Sequence, residues 1–204
     1  MVQNPEQGEG VSRARPQDGA TKPREAAREG WVVRNVPVVG TGIRATFGVV
    51  ELIAGLLKFQ PGMASVMTQQ INDVGVGQPS WLAPWFSFWG GAFGANAGTI
   101  VPLVGTLEIL LGITLITGLM QKVAYTGGIA LNLMIWSIPE GFGGLFVGGG
   151  VDVGAAIIYV FVFALLLVLN AASAPNRYSL DYYIEKRLPI WRKLAEVRRA
   201  PSPA

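Results

Sequence analysis

Polar and apolar positions fall into blocks along this chain. Residues 1–30 are rich in Gly, Pro, Gln, Glu and Arg and carry no apolar period, so they read as a disordered tail. No short apolar run follows the basic residues there, which rules out a signal-peptide pattern. Trp31-Val32-Val33 opens an apolar block, and a first membrane span is predicted over about 36–59, closed by the turn Gln60-Pro61-Gly62. The connection 60–98 contains Met63–Ile71, which reads as a short amphipathic helix, and then PSWLAPWFSFWGG. A second span follows over about 99–120, with Pro102 in its first turn, where proline is tolerated. The turn Gln121-Lys122 is so short that a third span, about 123–138, must pack antiparallel beside the second; Pro139 ends it. Residues 139–152 form a glycine-rich connector, in which Asp152 is placed to cap the last helix. The fourth span, about 153–172, is an almost unbroken apolar run long enough to cross a bilayer. In the final stretch, Tyr178–Lys186 and Ile190–Arg199 alternate apolar and basic positions, as helices lying on a membrane surface do; Pro189 separates them.

The pattern therefore predicts an all-α fold: an integral membrane four-helix bundle over 31–174, with a tail at 1–30, a basic tail at 175–204, and outer loops at 60–98 and 139–152. Composition strengthens this. Charged residues make up 14% of the 204 positions, against about 25% for a soluble domain, and they crowd into the two ends. The 27 glycines suit close helix packing in a bilayer.

Lysine and arginine set the orientation. The N-terminal side holds Arg13, Arg15, Lys22, Arg24, Arg28 and Arg34; the turn after the second span holds Lys122. The C-terminal side holds Arg177, Lys186, Arg187, Arg192, Lys193, Arg198 and Arg199. The opposite side has only Lys58, at a helix rim. The positive-inside rule then predicts a multi-pass protein of a bacterial or archaeal cell membrane with both termini cytoplasmic. Anionic lipid headgroups account for the basic tails, so membrane lipid is the expected partner and no nucleic acid is needed.

Against this apolar background four ionisable residues stand out. Arg44, Glu51 and Lys58 are each seven positions apart, which places them in one stripe, about 10 Å apart in depth. Glu108 lies near the middle of the second span, at a depth similar to Glu51. Charges inside a bilayer require partners. Two readings remain open. In one, Arg44 and Lys58 neutralise Glu51 and Glu108 in a structural network. In the other, a carboxylate exchanges protons with a quinone headgroup or substrate. Trp81, Trp85 and Trp89, spaced by four, read either as an interfacial aromatic belt or as the wall of a site for a planar ring. The glycine-rich connector lacks a preceding strand and a following Gly-Lys-Ser/Thr, so it is no phosphate loop.

The chain has neither Cys nor His. Thiolate chemistry, iron–sulfur ligation and covalent haem attachment are excluded, and no metal ligands are expected. Any redox cofactor would be an organic carrier such as a quinone, not covalently bound.

Three segments resemble the DoxX/DoxD family of small four-helix membrane proteins. The first helix carries Arg44, an apolar run through Leu57, Gly55 and Lys58. The second carries Gly105, Glu108 and Gly112, with Lys122 in the following turn. The third segment is Asn176-Arg177-Tyr178-Ser179-Leu180-Asp181. Asn176 replaces the family's glycine, and the tails are additional. The long outer loop looks more like the DoxD branch, the membrane subunit of thiosulfate:quinone oxidoreductase. The resemblance covers about 36–183. It implies a membrane subunit of a quinone-linked oxidoreductase acting on a small sulfur compound such as thiosulfate, with quinone and other subunits as partners. Glu51 and Glu108 would then handle protons, Arg44 and Lys58 would orient them or attract an anion, and the tryptophans would line the entrance. The alternative is a non-catalytic accessory or assembly subunit of a respiratory or photosynthetic complex.

Overall fold

The computed structural model describes residues 23–150, 152–172 and 177–197. The chain divides into two compact units, Met1–Arg34 and Asn35–Ala204. Among the described residues all regular structure is helical. Helix α1 runs Pro23–Leu57, α2 Met63–Gly75, α3 Ala83–Thr117, α4 Gln121–Ser137, α5 Ala155–Ala172, α6 Leu180–Glu185 and α7 Arg192–Ala195. Asn35–Leu57 and Ser80–Thr117 are long and apolar enough to cross a membrane, and Ala155–Ala171 is a shorter apolar helix.

Two expectations need correcting. Residues 23–30, assigned to a disordered tail, begin α1. Pro23 suits the first helical position, and Ala, Arg and Glu dominate the next six residues, all strong helix formers that a composition argument overlooks. The rest of that tail, residues 1–22, lies outside the described residues, as do Asn176 and the end of the second surface helix, Arg198 and Arg199. The connection 60–98 is also mostly helical. Helix α2, over 63–75, takes in the short amphipathic helix expected at Met63–Ile71; the correction is at α3, which starts at Ala83, well before position 99. The two spans of pattern in α3 are joined across a kink at Asn96 (φ −133°, ψ 16°), whose side-chain amide donates to Ala92 O at 3.2 Å. Pro102 is therefore inside a helix instead of in a first turn. Ile71, Phe93, Val101 and Ile138 bury a second small core between α2, α3 and the end of α4.

Helices α1 and α3 pack backbone to backbone. A Cβ at Gly48 would lie 2.8 Å from the Gly112 carbonyl oxygen, and one at Gly55 would lie 2.6 Å from that of Gly105. Position numbers rise on one helix as they fall on the other, so the pair is antiparallel and Glu108 is level with Leu52. The main core joins α3, α4 and α5 through Leu111, Leu115, Ala124, Tyr125, Phe163 and Leu166, with Phe47 of α1 packed against it.

The distribution of polarity is inverted relative to a water-soluble bundle. On α1 the fully buried positions past Asn35 are Arg44, Gly48, Glu51 and Gly55, while Val38, Val39, Val49, Ile53 and Leu56 face outward. Helix α3 repeats this with Leu103, Leu107, Leu110 and Ile113 outside and Gly105, Glu108 and Gly112 inside. Exposed apolar faces of this kind suit contact with a membrane or with another protein.

Candidate functional site

The close glycine contacts leave no room between α1 and α3, so the side chains at 51, 58 and 108 must leave the seam sideways. Lys58 Nζ lies 2.8 Å from each carboxylate oxygen of Glu108, donating to Oε1. The Glu108 side chain is 3% exposed and that of Lys58 17%. Glu51, 2% exposed, accepts from the Asn132 amide of α4 at 3.3 Å. Asn132 also donates to Gly128 O one turn back, which fixes its amide. Both Glu108 and Lys58 are within electrostatic reach of Glu51. The cluster thus contains two carboxylates and one cation: Lys58 is committed to Glu108, and Glu51 has only a neutral amide among the described residues.

The expected pairing is therefore half right. Lys58 neutralises Glu108, but Arg44 does not join Glu51. It lies two turns away, at the end of the bundle, where its Nη2 donates to Tyr178 O at 3.0 Å. Gly118 makes this possible. It ends α3 in the left-handed region (φ 68°), and a Cβ there would strike the guanidinium and the Ser179 side chain.

Asp181, which the sequence places only at the end of the third resemblance segment, has a role that sequence reasoning missed. Only 3% exposed, it accepts from Met120 N at 2.8 Å, Gln121 N at 2.9 Å and Trp191 Nε1 at 2.8 Å. Its own N–H donates to Gly118 O at 3.2 Å. A signal for it existed: the turn Gly118-Leu119-Met120 offers no Ser, Thr, Asp or Asn, so the first amides of α4 need an acceptor from elsewhere. The C-terminal segment is consequently docked on the bundle end through its acidic face, while Lys186, Arg187, Arg192 and Lys193 point outward. Asn170 extends the docking by accepting from Val197 N at 3.1 Å.

Between α1, α5 and this segment is a cavity of about 60 Å³, lined in part by Arg44, Tyr125, Asn170, Asp181, Glu185 and Glu196. Glu185, with a side chain 8% exposed, is pushed up to about 7 by burial and by the neighbouring Glu196, with which it shares a hydrogen bond; Arg192 offsets this in part. Between pH of about 4.5 and about 7 the folded segment then holds more protons than the unfolded one, so docking weakens as pH rises through that window. Hydrogen exchange of the 180–197 amides, corrected for intrinsic rates, should show protection falling from pH 5 to pH 8; constant protection would contradict the assignment.

At the opposite end the spacing by four, which would put Trp81, Trp85 and Trp89 on one helical face, does not do so, because Trp81 lies outside α3. Trp81 precedes α3 in a 3-10 turn, is 64% exposed, and packs edge-on against Phe146. Trp85 and Trp89 pack against each other, and Trp85 Nε1 donates to Ser137 O at 3.1 Å. The glycine-rich connector is tied down by Gln78 donating to Gly141 O and by Phe142, which meets Phe86, Trp136 and Phe146. Asp152 accepts from Val153 N and Gly154 N just ahead of α5. The acceptor that caps α5 is instead Glu140, whose carboxylate takes Ala156 N at 3.0 Å. Its longer side chain reaches across the loop, whereas Asp152 is consumed by its own turn.

Comparisons with known protein families, with curated proteins and with solved structures found no match to the chain.

Proposed function

We propose that the chain is a multi-pass membrane protein of the DoxX/DoxD type and acts as the membrane subunit of a quinone-linked oxidoreductase. The apolar parts of α1, α3, α4 and α5 serve as its four spans. The lysine and arginine asymmetry puts both termini, and so the docked C-terminal segment, in the cytoplasm. The inverted polarity of α1 and α3 supports the bilayer setting, because their outward faces are apolar and their inward faces hold the charges.

The observation that carries the redox reading is Glu51. A buried carboxylate without a cation of its own is costly and is retained where it serves a purpose. In this reading Glu51 passes protons to or from a quinone, while the Lys58–Glu108 pair and Asn132 hold it in place. The reduced substrate is a small sulfur compound such as thiosulfate, oxidised at the outer face beside the tryptophan-bearing turn. The test is purification in mild detergent, followed by assay of bound quinone and of thiosulfate-dependent quinone reduction. Bound quinone with turnover is expected. Absence of both in a folded preparation overturns the reading.

A second reading is favoured by the closed Lys58–Glu108 pair and the docked C-terminal segment, both of which are structural. Here the chain anchors a larger respiratory or photosynthetic complex. Co-purification with such a complex, with no quinone and no turnover, would select it.

A further inference from the structure

We propose that the cavity beneath the C-terminal segment is a binding site for a small oxyanion, held by Arg44. The site lies at the other end of the stripe from the Glu51 cluster and stands without the quinone reading.

Arg44 is 2% exposed, yet only Nη2 has a partner. Its Nε and Nη1 are buried with no hydrogen-bond acceptor among the described residues. Buried guanidinium donors left unpaired are costly, and Arg44 is one of the residues that line the cavity. The nearby Asp181 is within electrostatic reach, but its oxygens are engaged by two α4 amides and by Trp191. Asp181 therefore positions α4 and does not close the fork of Arg44. The planar guanidinium presents paired N–H groups that match an oxyanion. The volume of about 60 Å³ is well above the ~10–15 Å³ that one water needs, enough for an ion of a few heavy atoms.

The other charged or titratable groups facing the cavity set its pH behaviour. Tyr125 donates its hydroxyl to Gln121 Oε1 at 3.0 Å, and Tyr182 also lines the wall. Glu185 and Glu196 hydrogen-bond to each other, with Arg192 Nε 3.9 Å from Glu185 on the outer side. Burial, with Glu196 beside it, favours the protonated form of Glu185, which keeps Glu185 from repelling the anion; loss of that proton at higher pH adds negative charge beside the site. Apolar walls from Val36, Leu166 and Leu169 allow the same oxyanion chemistry to come from a phospholipid headgroup or from a free ion.

The test uses the full-length protein in detergent, with sulfate as the probe because it does not titrate near neutrality. Melting temperature is followed against sodium sulfate, with sodium chloride at matched ionic strength as control. Retained phospholipid is measured on the same preparation by phosphorus analysis. The expected result is a saturable rise in melting temperature with sulfate, larger at pH 6 than at pH 8 and lost in Arg44→Gln. Retained phospholipid that sulfate displaces would identify the headgroup as the source, and a sulfate shift without retained lipid would identify the free ion. Should Arg44→Gln fail to fold, the wild-type measurements decide. No saturable shift together with no retained phospholipid overturns the proposal, as does an equal shift in Arg44→Gln or equal shifts at the two pH values.

Discussion

Lys58→Met is expected to destabilise the protein by about 3–5 kcal/mol, the cost of leaving a buried charge without its partner. Glu108 is 3% exposed on its side chain and draws its cation from Lys58 alone among the described residues. No arginine can substitute, since Arg44 is held at the bundle end by Tyr178. The double variant Lys58→Met/Glu108→Met should recover most of the loss, because replacing both members of a buried pair with apolar residues is often neutral or better. Equilibrium unfolding of the parent, Lys58→Met, Glu108→Met and the double variant in detergent gives the coupling energy directly. A Lys58→Met variant as stable as the parent, or a double variant no better than the single one, would show that the pair does not form.

Gly55→Ala should be the most damaging of the small substitutions on α1. Its Cβ would sit 2.6 Å from the Gly105 carbonyl oxygen and 2.8 Å from Ile109 N. Both obstacles are backbone, so no rotamer change relieves them and the helices must separate. Overpacking costs about 1–3 kcal/mol, and separation here also loosens the frame that aims Lys58 at Glu108. Gly42→Ala is the internal control. The same helix offers open space at that position, and alanine in a helix interior gains about 0.5–1 kcal/mol over glycine. Opposite signs for these two changes are expected in unfolding experiments; equal effects would mean that α1 and α3 do not meet at Gly55.

Much of this architecture is written in spacing. The seven-residue stripe Arg44, Glu51, Lys58 faces inward, as its spacing predicts, and Glu108 lies level with the neighbour of Glu51. The glycines of the Gly105–Glu108–Gly112 segment turn out to be the contact surface for Gly48 and Gly55. That pairing was hidden because a glycine has no side chain to announce what it touches. The partner choice was less legible. Periodicity fixes a residue's face and depth, but a lysine reaches well over a turn, so Lys58 could serve Glu108 while Arg44 turned the other way. The basic residues of the C-terminal segment point to a surface-lying tail. The decisive residue was its acid, Asp181, whose role depends on amides supplied by a turn 60 positions earlier. In the connection 60–98 the amphipathic period of Met63–Ile71 is legible and becomes α2, whereas the early start of α3 at Ala83 is hidden among aromatic and small residues.

The most direct test of the central claim is Glu51→Gln, assayed for thiosulfate-dependent quinone reduction and for melting temperature together. Glutamine keeps the size and an acceptor for Asn132 but cannot carry a proton. If Glu51 passes protons, the variant folds with a melting temperature at or above that of the parent, and turnover falls about 10²–10⁴-fold, the usual weight of acid–base catalysis. Unchanged turnover with a lowered melting temperature would contradict the claim and return Glu51 to a purely structural role.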